Sequence, residues 1–262
     1  MLAVGFIVAS SILTKELTRK GFDPNIGSAI TLMAVIFGIA GSKMLYLFEN
    51  WSDFVQAPFK MAFSPGGLTW YGGFILATIV IAFYMKRKNI SFLKIADATS
   101  PSLMLGYGIA RIGCHLAGDG DYGMPTTLPW GMMYSNGTYP PSASFREFPE
   151  IVQKYGVNGV VPDTVLCHPA PLYEFLLGVL LFGVLWKLRT NEYPDGKMFT
   201  LYLVLAGGAR FLVELIRLNP RILFGLSEAQ LISSAIILIG FIWTMKLNRQ
   251  HEQSPQQQND AR

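Results

Sequence analysis

The chain has 262 residues, of which 51% are hydrophobic and only 15% charged, and its formal net charge is +4. A mean hydropathy of +0.36 excludes an ordinary soluble domain, and the surplus lysines and arginines collect between apolar segments, so they mark membrane topology and not a nucleic-acid partner. The composition predicts an all-α polytopic membrane protein, in which each crossing of a hydrocarbon core of about 30 Å takes about 20 apolar residues.

Seven transmembrane segments are predicted. The first, Met1 to Leu13, is short, so either its helix is truncated or the true start lies upstream. It lacks the basic leader and small-residue cleavage site of a signal peptide and is expected to stay. The second runs from Ile26 to Phe48 and the third from Gly66 to Met85. Between them ENWSDFVQAPFKMAFSPGG, 49–67, carries Trp51, Phe54, Phe59 and Phe63, and reads either as an amphipathic arm in the membrane interface or as a plain connector. The fourth segment, Phe92 to Ala117, leads into a connection, 118–169, rich in Pro, Gly, Tyr and Ser with one amphipathic stretch, FREFPEIVQKYG. It is expected to form a head of mostly irregular structure, and a connection that long is seldom idle. The fifth, sixth and seventh segments are Pro171 to Trp186, Met198 to Ile216 and Ala229 to Met245. Residues 1–250 thus read as one transmembrane domain, and the polar tail HEQSPQQQNDAR, 251–262, as disordered.

Orientation follows from the basic clusters, because loops rich in Lys and Arg stay cytoplasmic. Lys15, Arg19 and Lys20, then Lys86, Arg87, Lys88 and Lys94, then Lys187, Arg189 and Lys197, and finally Lys246 and Arg249 all fall on one side of a seven-helix path. The N-terminus, the arm and the head are therefore expected outside.

Ionisable groups inside apolar segments cost free energy and usually face a cavity or a partner. Here they gather toward the outer leaflet: Arg111 near the end of the fourth segment, Tyr173 and Glu174 at the start of the fifth, and Arg210, Glu214 and Arg217 at the end of the sixth. The last three are spaced four and three apart, which predicts one helical face. Arg210 and Glu214 read either as a structural pair or as part of an anion site. An arginine's planar fork holds phosphate through two parallel bonds, so several forks at headgroup depth suit a phospholipid.

The stretch ARIGCHLAGDGDYG follows Arg111 with Gly118, Asp119 and Asp121. Its glycines let backbone bend closely around a headgroup, and its aspartates read as groups that orient the site or as an exposed turn. The only cysteines, Cys114 and Cys167, each precede a histidine, His115 and His168. Four readings stand: a disulfide, free packing residues, a catalytic thiol, or a Cys2His2 metal site.

The stretches ARIGCHLAGDGDYG, HPAPLYE and GARFLVELIR, in this order, resemble the signatures of the prolipoprotein diacylglyceryl transferase family, approximately GRxGNFxNxExxG, HPxQLYE and RxxxExxR. The resemblance covers essentially the whole chain, including the turn GGLTWYGG. It implies transfer of an sn-1,2-diacylglyceryl group from phosphatidylglycerol to the lipobox cysteine thiol of a prolipoprotein, in a bacterial inner membrane with the active site toward the outer leaflet, and with neither a cofactor nor a metal. The resemblance assigns catalysis to Arg111, Arg210, Glu214, His168 and Tyr71. It assigns substrate binding to Arg111, Arg210, Arg217, Tyr173, Glu174, Asp119, Asp121, Gly118 and Cys114. The chain departs from the pattern where Cys114 and Ala117 stand for two asparagines, where Asp119 and Asp121 share the place of one glutamate, and where Tyr71 stands for a histidine. A related transferase with another acceptor, and a non-enzymatic phospholipid- or anion-binding transport protein, are the alternative readings.

Overall fold

The computed structural model describes residues 1–64 and 66–249 in full and the backbone alone over 250–260. The polar tail from 251 to 262, expected to be disordered, lies outside the residues described in full. In chain order the helices are α1 Leu2–Arg19, α2 Asn25–Glu49, α3 Trp51–Gln56, α4 Pro58–Ala62, α5 Trp70–Arg87 and α6 Phe92–Ala117. Strand β1, Met132–Met133, is followed by α7 Pro141–Ser144, α8 Pro149–Tyr155 and β2 Leu166–Cys167. Then come α9 Ala170–Leu188, α10 Lys197–Val213, β3 Arg221–Leu223, β4 Leu226–Ser227 and α11 Glu228–Asp260.

Each of the seven apolar segments lies on a long helix. Among the described residues three of these, Asn25–Glu49, Ala170–Leu188 and Glu228–Arg249, are long and apolar enough to cross a membrane by length and composition alone. The all-α expectation needs one correction. Two antiparallel ladders, β1 with β2 and β3 with β4, stand at the polar ends of the helices. Helix α1 also runs to Arg19, beyond the expected end at Leu13, because the next turn contributes Leu17, fully buried four residues on.

Residues Ser10–Ala98 form one compact unit and Met1–Ala9 with Thr99–Arg262 another. In the first, Leu13, Leu17, Ile26, Ile30, Met85, Ile95 and Ala98 make the apolar core. Helices α2 and α5 touch backbone to backbone. A Cβ on Gly41 would strike the carbonyl oxygen of Gly72, and one on Gly72 would strike that of Gly41. The arm contains α3 and α4, with Trp51, Phe59 and Phe63 turned outward. Its end is tied back where Lys43 Nζ donates to the carbonyls of Ser64 and Gly66 at 3.0 and 2.8 Å.

In the second unit α10 packs on α11, and Thr244 Oγ1 donates to Thr200 Oγ1 across the pair at 2.8 Å. Helices α6 and α9 approach at Gly108 and Gly178. The head has a small core of its own, Tyr122, Tyr134, Phe145, Val161 and Cys167, with Tyr122 and Tyr134 stacked at 4.3 Å between ring centroids. FREFPEIVQKYG supplies α8, opened by Pro149 in its first turn, a position where the missing N–H costs nothing.

Candidate functional site

Three chain ends are stitched together in the second unit. Helix α6 stops at Ala117, and Gly118 follows with φ +55°, packed so tightly on Gly137 that a Cβ would come within 2.6 Å of its Cα. The chain then turns through Gly120, φ +87°, into a short extended piece. There Gly123 N–H donates to the His168 carbonyl at 2.9 Å, His168 N–H to the Met124 carbonyl at 3.0 Å, and Met124 N–H to the Ile216 carbonyl at 2.9 Å. Backbone bonding thus fixes the end of α6 beside the start of α9 and the end of α10.

Arginines from the ends of α6 and α10 converge on one carboxylate at the start of α9. Glu174, on α9, has a side chain only 1% exposed. Its Oε2 lies 3.2 Å from Arg111 Nε and 3.6 Å from Arg217 Nη1, and its Oε1 lies 3.2 Å from Arg210 Nη1. Tyr107 OH also donates to Glu174 Oε1, and the Arg111 guanidinium lies over the Tyr107 ring, 5.1 Å from its centroid. Arg210 Nη2 meets Glu214 Oε2 at 3.0 Å, while Ser227 Oγ at 2.7 Å and Asn219 Nδ2 both donate to Glu214 Oε1. Asp121 completes the set, one oxygen on Arg111 Nη1 and the other on Arg217 Nη2. Three guanidiniums thus face three carboxylates, with the Asp119 carboxylate within 4.8 Å of that of Asp121.

The aspartates of the loop play unequal parts. Asp121 takes both arginines, while Asp119 accepts the Asp121 backbone N–H at 3.3 Å. Burial would raise the Asp121 pKa, but Arg217 and Arg111 outweigh it and hold the carboxyl below the ordinary range. Arg217 corrects the expectation of one helical face. Helix α10 ends at Val213, and Arg217 sits in an antiparallel bridge with Gly123. The carbonyl of Ile216 is taken by Met124, and Pro220 disfavours helix for Asn219 before it.

Tyr173 and His168 stand together at the start of α9. Tyr173 OH accepts from Trp130 Nε1 at 2.8 Å and lies 3.4 Å from His168 Nδ1. Burial lowers the His168 pKa, so its imidazole is neutral at pH 7. Tyr71 belongs to the other compact unit, in the first turn of α5 with its ring edge-on to Trp70. Tyr107, Trp130, Asn219 and Ser227 were not expected. Tyr107 is four residues before Arg111, so helical spacing was a usable signal for it. Trp130 is brought in from 43 residues away, and Asn219 and Ser227 reach Glu214 because the chain turns back after α10.

Both cysteines are free thiols, which corrects the disulfide reading. Nor do the two Cys-His pairs gather as metal ligands. Among the described residues, the ligand atoms that come within 4.8 Å of one another are those of Cys114, Asp119 and Asp121, and the two guanidiniums on Asp121 oppose a cation there. Arg111 Nη1 also donates to Cys114 Sγ at 3.5 Å. A cavity of about 410 Å³ lies between the end of α6 and the head, lined by His115, Leu116, Gly118, Met132, Met133 and Tyr134 among others, and none of the clustered arginines or carboxylates lines it. His115 Nδ1 lies 3.0 Å from Tyr134 OH. Cys167 is fully buried, and burial pushes its thiol pKa up to about 12. It is expected to stay unmodified by iodoacetamide at pH 8 in the native protein and to react on unfolding, as read by mass spectrometry. Native labelling at the rate of a free thiol would refute the burial and reopen the catalytic-thiol reading.

The sequence profile of the prolipoprotein diacylglyceryl transferase family matches residues 1–246. A Clostridium tetani protein named phosphatidylglycerol--prolipoprotein diacylglyceryl transferase is 32% identical over 255 residues, covering 97% of this chain and 93% of its own. Proteins of the same name from Leptospira interrogans and Clostridioides difficile are 28% and 29% identical, over 94% and 96% of this chain and 87% and 90% of theirs.

Proposed function

The chain belongs to the prolipoprotein diacylglyceryl transferase family, and on that premise we propose that it moves an sn-1,2-diacylglyceryl group from phosphatidylglycerol to the lipobox cysteine thiol of a prolipoprotein. The observation that carries the reading is the convergence of Arg111, Arg210 and Arg217 on Glu174. Fixed guanidiniums of this kind bind a phosphate ester and stabilise the charge it gains on leaving.

In the reaction the acceptor sulfur forms a bond to the glyceryl carbon and the bond from that carbon to the phosphate oxygen breaks. The phosphate passes from a singly charged diester to glycerol phosphate, and Arg111, Arg210 and Arg217 offset the added charge. His168, neutral at pH 7, takes the thiol proton, oriented by Tyr173. Glu174 and Glu214 hold the arginines in place. Asp119, Asp121, Gly118, Cys114 and Arg217 shape the headgroup end. Tyr71 takes part on the resemblance alone. The decisive assay incubates purified protein in detergent with labelled phosphatidylglycerol and a lipobox peptide. Release of glycerol phosphate together with a lipidated peptide is expected, and binding of the lipid without either product would favour a phospholipid-binding transport protein.

The same proposal includes seven crossings of a bacterial inner membrane, with the N-terminus outside and the site toward the outer leaflet. The basic clusters support this orientation. Single cysteines introduced between Pro140 and Asn158 of a cysteine-free variant are expected to react with an impermeant thiol reagent in whole cells, whereas cysteines beside Lys88 or Arg189 stay unlabelled. Labelling beside Lys88 alone would overturn the orientation.

A further inference from the structure

The three arginines differ in the kind of carboxylate they hold. Arg210 stands between Glu174 and Glu214, whose side chains are 1% and 0% exposed, so neither anion has water to leave into. Arg111 and Arg217 also share Asp121, which is 29% exposed and lies on the loop after α6, outside any helix. Each Asp121 oxygen takes one guanidinium, a bridge that two oxygens of a phosphate would reproduce.

The loop is built to let this one carboxylate go. Gly118 is pinned, because its carbonyl accepts the Tyr139 N–H at 2.9 Å. Tyr122 is pinned too, buried in the head core with its OH donating to the Tyr139 carbonyl at 2.7 Å. Between these anchors only Asp119, Gly120 and Asp121 are left to move, and Gly120, at φ +87°, rotates without the penalty a side chain would impose. Charge points the same way. An anionic phosphate added beside Asp121 would set a further anion against Asp121 and against the Asp119 carboxylate within 4.8 Å of it, whereas exchange of one singly charged group for another leaves the net charge unchanged.

We propose that Asp121 is a resident stand-in for the substrate phosphate: a phosphate ester takes its place on Arg111 and Arg217 and releases the carboxylate to solvent. This rests on the phospholipid reading of the site and adds to it where the phosphate sits and what it must displace. A ligand that binds only after an internal competitor leaves shows an affinity reduced by the fraction of open sites, so Asp121 sets the lipid affinity of the enzyme.

The test titrates the full-length parent and Asp121→Asn, both in detergent, with short-chain phosphatidylglycerol and separately with inorganic phosphate, by calorimetry. Asp121→Asn is expected to bind the lipid about ten-fold tighter than the parent. Equal or weaker binding by the variant overturns the proposal, and tightening toward inorganic phosphate alone overturns the assignment of the seat to a lipid headgroup. A parent that binds no phosphatidylglycerol would instead sink the functional reading beneath it. A second measurement needs no substitution: hydrogen exchange in a peptide spanning Asp119 to Tyr122 of the parent is expected to speed up when the lipid is added. Slower exchange there would show that the carboxylate stays in place and would overturn the proposal.

Discussion

Arg111→Lys and Arg210→Lys are each expected to lower kcat/KM for diacylglyceryl transfer by about 10² to 10³, the usual loss for one transition-state donor. Both substitutions keep a positive charge, so a purely electrostatic role would leave most of the activity. Lysine, however, is a point charge without a fork. Arg111 spreads its nitrogens over Glu174 and Asp121, and Arg210 spreads its own over Glu174 and Glu214. An ammonium reaching one carboxylate abandons the other, and the geometry around the phosphate is lost with it. Steady-state rates on a lipobox peptide, with circular dichroism to confirm the fold, decide the matter. Turnover within a few-fold of the parent in both variants would mean that the arginines only hold the helices together.

Glu174→Ala is expected to cost about 3 to 5 kcal/mol of stability, the range for removing one partner of a buried ion pair. Three guanidiniums lean on this carboxylate, and Arg217, the least exposed at 9%, loses one of its two partners. Tyr107 OH loses its acceptor as well. Thermal unfolding in detergent should show the loss in Glu174→Ala and less of it in Glu174→Ala combined with Arg217→Met, because the second change removes a buried positive charge that has lost half of its compensation. An unchanged melting temperature in the single variant would mean that Asp121 and Glu214 alone compensate the arginines.

Much of this was legible in the sequence for simple reasons. An apolar run of about 20 residues has few alternatives to a helix, and each of the seven predicted runs lies for most of its length on a long helix. The charged groups of the site were also visible, because ionisable side chains stand out against an apolar background. Their pairing was not. Spacing alone reported Arg210 with Glu214, but Glu174 meets its arginines across three separate parts of the chain. The position of Arg217 was misread because i, i+3 and i+4 spacing presumes that the helix continues, and Gly123 and Met124 claim its last turn as strand. The ladders escaped notice for a related reason: strands of two or three residues are too short to show a period. Asp119 and Asp121 carried no local signal to tell them apart, and it is Asp121 that reaches Arg111 and Arg217.

The backbone contact of α2 and α5 at Gly41 and Gly72 bears on how such a pair holds together in lipid. Two helices that meet in water gain by shedding a hydration shell, and the heat capacity falls as they do so. Acyl chains offer no such gain, since they are as apolar as the side chains they leave; adhesion there comes from dispersion between closely fitted surfaces and from lipid entropy. With both helices in the bilayer, as proposed, the α2–α5 pair should therefore associate with almost no change in heat capacity, and its free energy should follow a straight line in temperature without curvature. A single methyl group at Gly41 or Gly72 would weaken it by lifting the surfaces out of van der Waals range.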